Sequence, residues 1–164
     1  MTLHVFSPAP AAPHAARLVL DIFRRLAAFR EDYDEAVLHG LAAMLRRHMP
    51  EGAADKVTSD ALVMDNEIRF RLPAGLAMQP QGEFRATHEE AALLSLVRHA
   101  DDADDRLAVE AAERLGIVYH RVLRNCARML ARSLRQGGVE TEWEAAPAAM
   151  RRAPRAPPRA DMCR

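Results

Sequence analysis

A chain of 164 residues with 49% hydrophobic content is about one domain long and can bury a core without metal or disulfide support. Much of that content is alanine and only eight residues are aromatic, which favours close helix-to-helix packing over bulky interdigitation. The 23 basic and 23 acidic residues cancel, which argues against a domain basic throughout, yet they are unevenly placed: residues 1–120 hold 13 basic and 19 acidic, residues 121–164 hold 10 and 4.

Residues 1–14, with Pro8, Pro10 and Pro13 in an alanine-rich stretch, are expected to form an extended or disordered lead. They lack the basic start and apolar run of a signal peptide, and the longest apolar runs are too short to cross a bilayer. Cysteines 126 and 163 provide no disulfide framework, so a cytoplasmic protein is expected.

Val19, Ile22, Leu26, Phe29, Tyr33, Val37, Leu41, Met44 and His48 step by three and four, the spacing of an amphipathic helical region over 15–48. It is one helix, or two if Asp32 or Asp34 caps a second near residues 30–34. Pro50 and Gly52 close it. Farther on, Ile68, Phe70 and Leu72 alternate with Glu67, Arg69 and Arg71, a period of two that predicts a strand. Residues 61–64 would be its partner, giving a β-hairpin near 61–72. Pro73, Gly75, Pro80 and Gly82 mark a loop, and Thr87 with Glu90 reads as a capping box opening a helix that ends near Ala100.

The run Asp101, Asp102, Asp104 and Asp105 then leads into a predicted continuous helix over 105–135, about 46 Å long at 1.5 Å per residue. Ala108, Ala112, Leu115, Tyr119, Val122, Cys126, Met129 and Ser133 form its heptad-like seam, and Leu115, Val122, Cys126 and Met129 are expected to be buried. Gly137 and Gly138 stop the helix. Residues 145–164, with four prolines and five arginines, are expected to be a disordered tail. The predicted whole is mainly α: a single helical domain over 15–144, built as a bundle from two long amphipathic helical regions with a small hairpin insertion.

Chemistry is sparse. The serines lie outside any nucleophile elbow, no phosphate-binding glycine motif occurs, and no His or Cys spacing matches a zinc site. Asp101 to Asp105 lack the layout of a calcium loop and suit a helix start instead. No catalytic residue, cofactor or metal ligand is therefore assigned. The feature that stands out is Arg121, Arg124, Arg128, Arg132 and Arg135, five cations in one sector with no acid in the same stretch. They are the candidate partner-binding residues, an anionic-ligand face.

The functional expectation is a non-enzymatic regulatory or adaptor protein. It would assemble through its helical seams, as a homodimer or with a helical protein partner, and present the arginine face to an acidic partner. The alternatives are a nucleic-acid-binding regulator and a small helical enzyme whose site joins dispersed residues such as His88, His99 and His120 with acids.

Overall fold

The structure, a computed structural model, describes residues 14–83 and 85–140. The expected tail at 145–164 and all but His14 of the expected lead lie outside the described residues. Six helices appear in chain order: α1 (His14–Asp32), α2 (Glu35–Leu45), α3 (Glu51–Arg71), α4 (His88–His99), α5 (Arg106–Arg114) and α6 (Arg121–Gln136). They form a helical bundle around one contiguous apolar cluster. No helix among the described residues is long and apolar enough to cross a membrane.

The core is aliphatic. Ile22 and Leu26 of α1, Leu41 and Leu45 of α2, Met64 and Ile68 of α3, Leu93 and Leu96 of α4, and Leu123, Leu130 and Leu134 of α6 are fully buried or nearly so. Helices α3 and α6 make the most extensive contact, with Ala54 and Ala61 buried on one and Ala127 and Ala131 on the other. Small side chains let the backbones approach closely, so alanine contributes through proximity rather than area. The pair is antiparallel: Ser133 Oγ donates to Asp60 Oδ2 at 2.5 Å, while Glu67, farther along α3, acts on Cys126, farther back along α6.

The 15–48 region is two helices. Tyr33 takes a positive φ of 52° after α1, and the Asp34 side chain caps α2 by accepting from the Ala36 N–H. The capping box at Thr87 and Glu90 is fully formed at the start of α4.

Two expectations are corrected. The predicted hairpin near 61–72 is not a hairpin, because α3 runs through nearly all of it and no strand occurs among the described residues. The alternation at residues 67–72 is also compatible with a helix: Ala54, Val57, Ala61, Met64 and Ile68 are buried at three- and four-residue steps, and Phe70 stands 75% exposed on the outside. Glu67 and Arg71 pair at 2.9 Å along one face, the i,i+4 geometry of a helix.

The predicted continuous helix over 105–135 is likewise broken, at residues 115–120. Gly116 has φ 79°, its N–H donates to the Glu113 carbonyl at 2.8 Å, and the Ile117 N–H donates to the Ala112 carbonyl at 3.0 Å. Those paired bonds around a left-handed glycine are a Schellman stop, with buried Ile117 as its apolar anchor. The seam therefore splits. Leu115 and Cys126 are buried as expected, but Val122 and Met129 are 49% and 46% exposed.

Candidate functional site

Helix α6 carries five arginines and no acid, and the connection between α4 and α5 carries four aspartates. The fold lays that connection along one flank of α6. Arg132 donates to Asp101 Oδ1 from Nε at 3.2 Å and from Nη2 at 2.8 Å, and Arg135 Nη2 reaches Asp101 Oδ2 at 2.5 Å. Arg128 donates from Nε to the Ala100 carbonyl at 3.1 Å and stands 3.5 Å from Asp101 and 4.0 Å from Asp105. Arg124 pairs with Asp105. Arg121, exposed at the first turn, forms no ion pair among the described residues.

Four of the five predicted partner-binding arginines thus converge on two carboxylates, and the fifth stands apart. The hydrogen bond from Arg132 outweighs the opposing effect of burial and, with the charges of Arg132 and Arg135, holds Asp101 below the usual carboxylate range. Asp105 is lowered in the same way, chiefly by Arg124. Asp101 in turn raises the Arg132 guanidinium, through its hydrogen bond first and its charge second. The ladder is an array of guanidinium groups gathered on Asp101 and Asp105, chemistry suited to carboxylate or phosphate oxygens.

The aspartates were visible in the sequence as helix-start acids, but not as partners of these arginines. The i,i+4 rule looks only along one helix, whereas Arg132 and Asp101 are 31 residues apart.

A second polar centre has no signal of its own in the sequence beyond the capping box. Arg24 of α1 is buried and donates to both Glu90 oxygens, from Nε at 2.7 Å and from Nη2 at 3.0 Å. Its remaining donors hold the Glu83 and Arg85 carbonyls, and Glu90 also accepts from the Gln79 and Thr87 N–H groups. Burial pushes the Glu90 carboxyl up, yet the donors from Arg24, Thr87 and Gln79 leave it lowered. The pair fastens the 73–87 connection to the bundle.

The chain matches no protein-family model, no curated protein and no solved structure.

The histidines considered for a dispersed site do not gather. His99 Nδ1 meets Asp102 Oδ2 at 2.6 Å, His88 is exposed, and His120 lies near Asp105. Among the described residues no three His, Cys, Asp or Glu side chains converge as a metal site. A cavity of about 20 Å³ between Phe23, Ala27, Asp65, Ile68, Arg69, Leu76 and Met78 has room for about one water, too little for a metabolite. Cys126 is buried beside α3, where burial first and the nearby Glu67 and Asp60 second push its thiol up and away from reactivity.

The remaining feature is apolar. Val63 and Phe70 on α3, Val118 and Tyr119 in the α5–α6 turn, and Val122 and Met129 on α6 are all exposed. Large apolar residues left exposed mark a contact surface where they adjoin one another.

Proposed function

We propose that this is a non-enzymatic regulatory or adaptor protein of the cytoplasm that assembles with another helical chain and engages an acidic partner through α6. The observation that carries the reading is the clustering of guanidinium groups on α6: Arg124, Arg128, Arg132 and Arg135 lie along one flank, where among the described residues Asp101 and Asp105 pair with them, and Arg121 stands exposed at the first turn. Arg121 is exposed, and the Arg132 side chain remains 58% exposed while paired. Such groups can bridge to an incoming carboxylate without giving up the internal one, because a guanidinium offers five donors.

Replacing Arg124, Arg128 and Arg132 by glutamine keeps length and helix propensity while removing charge. Arg132 is exposed and its pair is expected to add little to stability, whereas the Arg124 side chain is only 13% exposed, so the triple variant is expected to melt several degrees lower and to keep its helical circular dichroism spectrum. Its binding to a polyglutamate probe, followed by fluorescence anisotropy, should weaken at least about tenfold and lose part of its salt dependence. Unchanged binding in the folded variant would remove the arginines from this role. Salt-sensitive binding to random duplex DNA with a steeper slope than to polyglutamate would favour the nucleic-acid reading instead.

A further inference from the structure

We infer that the strip formed by Val63 and Phe70 of α3 with Val122 and Met129 of α6 is the interface for a second copy of this chain. This inference rests on the assembling half of the function proposed above and is independent of what the arginine ladder binds.

The strip follows from helix phase and register. Asp60 and Ser133 meet across the α3–α6 contact, so in an antiparallel pair Val63 lies level with Met129 and Phe70 level with Val122. Val63 and Phe70 are seven residues apart and share one face of α3; Val122 and Met129 have the same spacing on α6. On α6 this face adjoins Cys126 and Ser133, which turn toward α3, and on α3 it adjoins Glu67 and Asp60, which turn toward α6. The two exposed rows therefore border a single groove. Val118 and Tyr119, exposed in the turn that follows the Schellman stop at Gly116, come four and three residues before Val122, the residue level with Phe70.

Size fits a protein partner. Phe70 and Tyr119 leave 75% and 78% of their surface open, roughly 150 Å² each for aromatics of this size. With Val63, Val118, Val122 and Met129 the apolar patch is on the order of 600 Å², at the upper end of what a monomer usually exposes. A polar rim brings it to about the 800 Å² that each side of a stable complex contributes. The alanine-rich interior makes the placement more telling, because Phe23 is the one buried aromatic among the described residues. Aromatics carry interface energy well.

Charge selects the occupant. The outer edges of the strip are Ser59 and Asn66 on α3 and Asn125 and Gln136 on α6, all exposed and neutral, so a copy of the same surface meets no like-charge rim. A two-fold axis running parallel to the two helices lays the second copy's α6 over this α3 and its α3 over this α6, with every residue kept at the level it has within its own pair. The result is a two-fold four-helix contact in which Val63 faces the second copy's Met129 and Phe70 faces its Val122.

Sedimentation equilibrium on the full chain is expected to give twice the 18.2 kDa chain mass at micromolar concentration. Phe70→Glu with Met129→Glu, both exposed in the single chain, should weaken the dimer at least about 100-fold while the helical circular dichroism spectrum is retained. Tyr33→Glu, exposed but off the strip, should leave it dimeric. Orientation is read separately: Val63→Cys chains mixed with Met129→Cys chains, both carrying Cys163→Ser, should cross-link to each other on mild oxidation. A full chain that stays monomeric, a Glu variant that stays dimeric, or mixed Cys chains that do not join would each overturn the proposal. The arginine-to-glutamine triple variant should remain a dimer even where polyglutamate binding is lost, so the two readings fail independently.

Discussion

Glu90 illustrates how much one buried carboxylate can organise. Its two oxygens receive Arg24 twice and the Gln79 and Thr87 amides once each, with Arg24 buried against it. Removing only the negative charge leaves a guanidinium without its counterion in a place water does not reach. Glu90→Gln is therefore expected to cost about 3–5 kcal/mol, seen as a lower urea midpoint with an unchanged slope. The pH dependence has a definite sign. Because Glu90, Asp101 and Asp105 are lowered in the folded state, their stabilisation is complete above the unfolded carboxylate range and is lost as pH falls through the folded values. Stability should be nearly level from about pH 7 to 5 and drop below about pH 4, and the drop should be shallower in Glu90→Gln.

Helix ends decide the architecture more than helix middles do. The break after α5 and the stop after α6 are built alike: Gly116 and Gly138 both take positive φ, and Ile117 and Val139 return their N–H groups to Ala112 and Leu134. A Cβ added at Gly116 would meet nothing within 4 Å, so Gly116→Ala tests backbone strain alone. About 1 kcal/mol of destabilisation is expected, measurable by thermal melting, with the dimer contact weakened if the turn carrying Tyr119 shifts.

That glycine also marks where the sequence was readable and where it was not. Two adjacent glycines at 137 and 138 advertise a stop, whereas a lone Gly116 inside an unbroken three-four pattern does not, because the apolar spacing runs on through the break although burial does not follow it. Thr87 with Glu90 and the Asp34 cap were legible since a capping side chain acts on neighbours two or three residues away. The false hairpin arose from a window of six residues; starting at Ala54 would have counted five helical matches. Long-range pairs such as Arg24 with Glu90 or Arg132 with Asp101 leave no local trace, so the arginines of the ladder could be named but their partners could not.

At the scale of the whole molecule, the two working surfaces proposed lie on different sides of α6, with Val122 and Met129 toward α3 and Arg124, Arg128 and Arg135 toward the α4–α5 connection. One helix can serve assembly and recognition together without either ligand covering the other. Asp101, which Arg128, Arg132 and Arg135 all approach, then has a further role. On the proposed reading it is a tethered competitor: being part of the same chain, it occupies the guanidinium groups at an effective concentration on the order of millimolar, so an acidic partner would have to displace or share with it. Asp101→Asn should bind polyglutamate several-fold more tightly than the native chain in the anisotropy assay while melting slightly earlier, and Asp104→Asn, the same change of net charge at an exposed aspartate off the ladder, should bind it nearly as the native chain does.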